Sequence, residues 1–353
     1  MRIAQVAPLI ESVPPRFYGG TERVVSYLTE ELVRAGHQVT LFASGDSRTA
    51  ATLRPMVPEA LRLSAQGSDP LIPHLVMLEQ LFKCVGDFDI VHFHIDFLHF
   101  PLSRRERHAH VTTLHGRLDL PDLAVLYREF REMPVISISE TQRRPLPWLN
   151  WRATVYNGLP EHLYRFNARA EGYLAFLGRL SPEKRPDRAI EIARRAGLPL
   201  KIAAKVDRAD QDYFETRVRP LLGRGGVEFL GEIGEQDKDA FLGNAAALLF
   251  PIDWPEPFGL VMVEAMACGT PVIAFREGAV PEVVTDGVTG FIVDSVDAAV
   301  QAVERIPSLD RRECRDHFER RFSARRMAER YLDVYRNILD ECGAGFVSPR
   351  RAG

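Results

Sequence analysis

The sequence predicts an α/β protein built as two doubly wound domains. Three observations carry that prediction. The chain is 353 residues long, more than one hydrophobic core usually organises. Short apolar runs alternate with helical patterns, the rhythm of βαβ units in parallel sheets. That rhythm starts twice, at Ile3 and again at Leu174, on either side of a polar stretch at 165–172. The polar stretch reads as a hinge. The expected domains are therefore 1–165 and 166–322, followed by a terminal helix at 323–342 and a disordered tail at 343–353.

In the first half, strands are expected at 3–9, 38–43, 89–94, 110–114, 135–138 and 153–156. Helices are expected at 20–35, stopped by Gly36, and at 75–85. In the second half, strands are expected at 174–177, 200–204, 227–230, 247–251, 271–274 and 290–293. Helices fall between them at 186–196, 209–222, 236–244 and 260–267. Such sheets bind ligands in the crevice outside the carboxyl ends of their strands, so the loops at those ends hold the chemistry.

Composition narrows the class. The chain is 46% hydrophobic and 26% charged with a net charge of −3, ordinary values for a globular protein. No global field favours nucleic acid or a membrane, although 45 Lys and Arg residues leave room for local basic patches. Cys84, Cys268, Cys314 and Cys342 form no CxxC pair and read as free thiols in a reducing compartment. Met1-Arg2-Ile3-Ala4-Gln5-Val6 opens a strand and lacks the apolar region of a signal peptide. No apolar run reaches the roughly 18 residues of a membrane span. A cytoplasmic location is expected.

The most informative stretch runs from Trp254-Pro255-Glu256-Pro257-Phe258-Gly259-Leu260 through Glu264 to Cys268-Gly269-Thr270-Pro271. Pro255 and Pro257 hold the approach extended, because the ring fixes φ and restricts the residue before it. Gly259 opens a helix whose first N–H groups have no internal partner, and lets a ligand approach the backbone. That arrangement suits an anion. Glu256 and Glu264 on either side can accept hydrogen bonds from sugar or ribose hydroxyls. A phosphate ligand flanked by alcohols fits the pattern.

Arg179 and Lys184 follow the first strand of the second half, in Gly178-Arg179-Leu180-Ser181-Pro182-Glu183-Lys184. Two cations at a strand end can hold a diphosphate and offset its growing charge as a glycosidic bond breaks; the plain alternative is a solvated basic loop. Gly19 and Gly20 open the first helix, whose N–H groups can face an anion, without the full G-x-G-x-x-G of a dinucleotide site. His92, His94 and Asp96 alternate along a strand end and share a face. This is half of a metal-ligand pattern with Phe97 in place of the last ligand, or else a core histidine beside an exposed one. His115 ends the next strand, as a site residue or an exposed loop residue. Glu282, after the turn at Gly278, reads as structural.

The Glu256-x7-Glu264 spacing in its Pro-Glu-Pro-Phe-Gly context, with Gly178-Arg179-x4-Lys184 upstream, resembles the retaining GT-B-fold enzymes of glycosyltransferase family 4 over nearly the whole chain. The resemblance implies two Rossmann-like domains facing across a cleft, with the last helix crossing back to the first domain. It implies transfer of a sugar from a nucleotide-diphosphate sugar, UDP or GDP, to a hydroxyl acceptor, with retention and without a metal or further cofactor. Arg179, Lys184 and the amides near Gly259 and Leu260 would carry the leaving diphosphate. Glu264 would hold the ribose, Glu256 the sugar hydroxyls, and His94 would stand near the reacting centre. Gly19 and Gly20 would cover the diphosphate, Phe258 would complete the donor loop, and the base would lie beside Glu232 and Ile233. Arg16 and His115 would lie on the acceptor side. The acceptor would be a sugar, a lipid-linked molecule or a small molecule, with peripheral membrane contact in the lipid case and no nucleic-acid partner. Three other readings stay open: a nucleotide-sugar epimerase on the same fold, a non-catalytic donor-binding subunit, and a metallohydrolase using His92, His94 and Asp96.

Overall fold

The computed structural model describes residues 1–16, 19–63, 69–223 and 225–345, and the chain divides into two compact units. The first unit holds residues 1–138, 143–158 and the terminal helix from Ala324. The second holds 159–323 together with 139–142.

The first unit is a seven-stranded parallel sheet. Its strands are β1 (Arg2–Val6), β2 (Gln38–Ser44), β3 (Thr52–Val57), β4 (Ile90–Phe93), β5 (His110–Thr113), β6 (Val135–Ser137) and β7 (Trp151–Thr154), in the order β3-β2-β1-β4-β5-β6-β7. The central strands are apolar on both sides, as a doubly covered sheet requires: Ile3, Ala4, Val6, Leu41, Phe42, Val91 and Phe93 are all buried. The helix Gly20–Arg34 is amphipathic and packs against the terminal helix Ala324–Gly345. The terminal helix buries Tyr331 and Tyr335 completely. β3 departs from expectation. Its side chains are largely exposed and it contains Pro55, so it lacks the apolar run of a central strand. At a sheet edge that proline costs no ladder bond.

The second unit is a six-stranded parallel sheet of β8 (Leu174–Arg179), β9 (Leu200–Lys205), β10 (Val227–Gly231), β11 (Ala247–Phe250), β12 (Val272–Phe275) and β13 (Gly290–Val293), in the order β10-β9-β8-β11-β12-β13. Leu174, Phe176, Ile202, Leu249, Ile273 and Phe291 form one core with the helix Pro186–Ala196. In both sheets the strand order reverses direction, between β1 and β4 and between β8 and β11. These are the switch points where such sheets open a crevice.

Several elements differ from the pattern-based expectation. The helix expected at 209–222 is broken into short turns, with a π-helical segment at Phe214–Val218 and a 3-10 turn at Arg219–Leu221. Pro220 has no N–H to continue the ladder. Helices at Pro121–Glu129, Val296–Arg305 and Arg311–Arg321 went unpredicted. The last two have side-chain caps: Ser295 Oγ accepts from the N–H of Ala298, and the Asp310 carboxylate accepts from the N–H of Arg312. The polar stretch expected as a hinge is pinned inside the second unit instead. Asp239 accepts from the Arg165 N–H at 2.7 Å, Cys268 O from the Asn167 N–H at 3.0 Å, and Asn244 O from the Glu171 N–H at 2.7 Å. Its polar groups serve bonding, and the chain passes between units at 138–139, 142–143, 158–159 and 323–324. The terminal helix continues to Gly345, past the expected end at 342; the remainder of the expected tail, 346–353, lies outside the described residues. Among the described residues no helix is long and apolar enough to cross a membrane.

The first unit carries most of the histidines, and burial disfavours their charged forms. Burial holds His108 and His115 down at about 4 and pushes His92, His94 and His99 well below the ordinary range. In the unfolded chain these rings take a proton near pH 6.5. Their contribution to stability is therefore full above that pH and lost as pH falls towards 4. Thermal denaturation should show Tm dropping by roughly 10 °C or more between pH 6.5 and 4.5. A flat Tm across that window contradicts the neutral, buried assignment.

Candidate functional site

The loops after β8 and β11 meet at the switch point of the second sheet. After β8 the chain makes a 3-10 turn at Pro182–Lys184. After β11 it runs through Asp253, Trp254 and Pro255. The N–H of Asp253 donates to Glu183 O at 2.9 Å, so the two loops are stitched together. Across that stitch the Lys184 ammonium is bonded to the Glu256 carboxylate. Both side chains are mostly withdrawn from water, 16% and 13% exposed. The ammonium also lies 5.0 Å from the ring centre of Trp254 and 5.6 Å from that of Phe250, within cation–π reach of both rings.

A glycine fixes the height of the Glu256 loop. Gly278 has φ +51, and a Cβ there would sit 2.2 Å from Glu256 O and 2.3 Å from Glu256 N. The next N–H, from Ala279, donates to Glu256 O at 2.9 Å. Gly259 plays a related part. It is left-handed at φ +84, and a Cβ would press on Met262 and the Phe250 ring, at 2.7 and 3.2 Å. The helix Leu260–Ala267 therefore starts beside the ring over which Lys184 lies. Lys184, Glu256, Gly259 and half-buried Leu260 converge on one place.

Other predicted residues take less direct positions. Arg179 ends β8 and is bonded to Glu183, with Asp210 at 3.5 Å and Asp207 at 3.7 Å. An incoming phosphate must displace these carboxylates. Glu264 is only 4% exposed and accepts from Lys238 Nζ at 2.8 Å, which compensates its buried charge. Phe258 is 2% exposed and packs edge-on against Phe322, with ring centres 6.0 Å apart; its side chain belongs to the core, leaving its backbone to the loop. Glu232 is exposed in the turn after β10. Ile233 lines a cavity of about 200 Å³ with Tyr173, Lys201, Leu230 and Phe241. Tyr173 and Lys201 stand at the starts of β8 and β9, so this cavity is not at the strand ends where a base is expected. Glu282 is structural, as expected: its carboxylate accepts from the N–H groups of Glu140 and Thr141 at 2.7 Å each.

In the first unit, Gly19 is buried against Pro15, and a Cβ would meet that ring at 2.8 Å. Gly20 and Arg16 are exposed. The helix they open is not free for an anion. Glu22 lies in its first turn, accepts from its own N–H, and is pushed above the usual carboxylate range by burial, with Glu11 adding to the shift. A hydroxyl-bearing ligand suits that carboxylate better than a phosphate.

At the switch point of the first sheet the histidines form a closed network. His94 Nε2 bonds Gln5 Oε1 at 2.8 Å and His94 Nδ1 bonds His115 Nε2 at 2.9 Å. His92 Nδ1 bonds the Tyr335 hydroxyl and His92 Nε2 bonds Thr113 Oγ1, each at 2.7 Å. His94 is 2% exposed, and His115 is the half-buried outer member of the pair. The shared face expected for His92, His94 and Asp96 holds for the two rings, 4.0 Å apart, and fails for Asp96. β4 ends at Phe93, and Asp96 takes a left-handed φ of 49 and is exposed. All four ring nitrogens of His92 and His94 are engaged, and among the described residues no three His, Cys, Asp or Glu side chains are grouped to hold a metal.

Sequence reasoning missed Lys238, Gln5, Thr113 and Tyr335. None has a local motif. Each is recruited by a partner at least 21 residues away in sequence, and only the folded sheet brings them together.

Known proteins resemble both units. Residues 18–159 match the family described as Glycosyltransferase Family 4, and residues 166–322 match Glycosyl transferases group 1. The D-inositol 3-phosphate glycosyltransferase of Saccharomonospora viridis is 33% identical over 186 residues, which cover 47% of this chain and 43% of that protein. The match thus spans less than half of that relative. The phosphatidyl-myo-inositol mannosyltransferase of Mycolicibacterium smegmatis is 27% identical over 361 residues, 92% of this chain and 89% of that protein. Among solved structures, AviGT4, a glycosyltransferase involved in avilamycin A biosynthesis, superposes with a TM-score of 0.74 at 25% identity, over 96% of this chain and 98% of that one.

The loop geometry is testable by a pair of glycines. Gly278 and Gly287 are both left-handed, but a Cβ at Gly287 meets nothing within 4 Å. Gly287→Ala should cost about 1 kcal/mol of conformational strain. Gly278→Ala should cost at least about 2 kcal/mol more, because the backbone of Glu256 must move. Equal losses in denaturant titrations contradict the clamp.

Proposed function

The chain belongs to the glycosyltransferases of group 1 and family 4, and on that premise we propose that it moves a sugar from a nucleotide-diphosphate sugar, UDP or GDP, to a hydroxyl acceptor. The observation that carries this reading is the Lys184–Glu256 pair at the switch point, beside the Gly259 helix start. A diphosphate needs an ammonium and open amides; a sugar needs an acceptor of hydroxyl hydrogen bonds. This loop supplies both from one ion pair.

In this reading the donor's diphosphate takes Lys184, with Arg179 released from Glu183 to join it. The amides of Gly259 and Leu260 complete the anion site. Glu256, freed of its ammonium, turns to the sugar hydroxyls. Glu264, held by its Lys238 partner, takes the ribose hydroxyls. As the glycosidic bond breaks, charge grows on the diphosphate, and Lys184 and Arg179 stabilise it more in the transition state than in the ground state. One helix start holds both carboxylates on the donor side, which leaves neither as the nucleophile of a double displacement. We assign retention of configuration without a metal. In the first unit we assign the acceptor side to His115, the more exposed partner of His94. Glu11, Glu22, Gly19 and Arg16 line the loop at the opening of the first helix, which suits a polyhydroxyl acceptor.

Lys184→Ala should lower kcat at least about 100-fold while circular dichroism stays that of the folded protein. A thermal-shift series with UDP-, GDP- and ADP-sugars should single out one nucleotide, since a ligand of the folded state raises Tm by mass action. Turnover should persist in a chelator. Normal turnover in Lys184→Ala, or loss in chelator that added metal restores, would sink the reading.

A further inference from the structure

We propose that Gln5 and Tyr335 are positioning residues that fix the tautomer of His115 through His94, so that His115 offers the substrate an unprotonated Nδ1. This rests on the reading above only in giving His115 a substrate. The bond directions come from the network itself. The Gln5 amide nitrogen donates to the Tyr335 hydroxyl at 3.1 Å, which turns Gln5 Oε1 towards His94. An amide oxygen only accepts. His94 must therefore carry its proton on Nε2, 2.8 Å from that oxygen.

The consequence propagates outward. Protonated on Nε2, a neutral His94 has only a lone pair on Nδ1. The atom facing it at 2.9 Å is His115 Nε2, which must then be the donor. A neutral His115 with its proton on Nε2 keeps a lone pair on Nδ1. Among the described residues that nitrogen meets no hydrogen-bond partner.

The other branch locks the anchor. The Tyr335 oxygen accepts from Gln5, so its hydroxyl hydrogen is free to donate to His92 Nδ1 at 2.7 Å. His92 then donates from Nε2 to Thr113 Oγ1 at 2.7 Å, and Thr113 shares a hydrogen bond of 3.0 Å with the Tyr331 hydroxyl. Each atom has one role. The rings are buried and held neutral, so a second proton does not blur the order. Gln5 lies on β1, His94 follows β4 and His115 follows β5, three adjacent strands. The strands set the spacing, and the terminal helix sets the polarity.

The test uses the full-length protein labelled with 15N-histidine, read by long-range 15N–1H correlation without substrate, alongside steady-state kinetics. In the wild type, His94 and His115 should both carry the proton on Nε2. Tyr335→Phe removes the anchor: the two rings should show mixed tautomers, and kcat should fall about tenfold with donor KM changed less than twofold. Gln5→Leu should act alike and serves if Tyr335→Phe fails to fold. Gln5→Glu keeps an acceptor for His94 Nε2 and should restore the wild-type tautomers. A wild-type His115 protonated on Nδ1, or unaltered tautomers in both Tyr335→Phe and Gln5→Leu, overturns the proposal. Wild-type tautomers as proposed but no turnover of any nucleotide sugar would instead overturn the transferase reading and leave the chain of bonds standing.

Discussion

The Lys184–Glu256 ion pair is the interaction around which the second unit's loops are arranged. Two oppositely charged groups this withdrawn from water compensate each other, and removing one strands the other. The surroundings keep them in place. The Asp253–Glu183 bond joins the two loops, Gly278 sets the depth of the carboxylate, and two aromatic rings flank the ammonium. On the proposed reading the pair holds in reserve a cation for phosphate and an acceptor for hydroxyls. Arg179 repeats the arrangement with Glu183, and Glu264 repeats it with Lys238. On the proposed reading, binding is an exchange of partners, in which ligand groups replace protein groups at similar electrostatic cost.

The first unit solves a different problem. Its switch point is lined by neutral, hydrogen-bonded rings instead of ion pairs. The network reaches from β1 to the terminal helix, whose tyrosines come from the far end of the chain. Packing that helix here supplies the hydroxyls that complete the network. A buried polar network of this kind stabilises only when every member is satisfied, and Gln5, His92, His94, Thr113 and Tyr335 all are.

Much of this was legible in the residues. The strand–helix rhythm gave both sheets because apolar runs on doubly covered strands are unmistakable. Pro186–Ala196 and Leu260–Ala267 have the predicted bounds because Pro and Gly punctuate them. The Glu256–Glu264 stretch is local, so its spacing alone places Gly259 at a helix start. The rest was illegible for physical reasons. β3 is an exposed edge and has no apolar signature. The 165–172 stretch is polar because it bonds to the second unit, a use that composition cannot separate from a free linker. Which histidine of His94 and His115 faces outward depends on how far each strand extends, and β4 stops three residues before Asp96. The pairing of Lys184 with Glu256 joins residues 72 apart, and sequence gives no sign of it.

The exchange of partners is most directly tested by isothermal titration of the Glu256→Gln protein with the preferred nucleoside diphosphate and with its sugar derivative. Without its carboxylate rival, Lys184 is more available, so the diphosphate alone should bind at least as tightly as to the wild type. The extra affinity contributed by the sugar should largely vanish. If the diphosphate binds clearly more weakly while the sugar's contribution survives, Glu256 is merely a structural partner of Lys184 and the account fails.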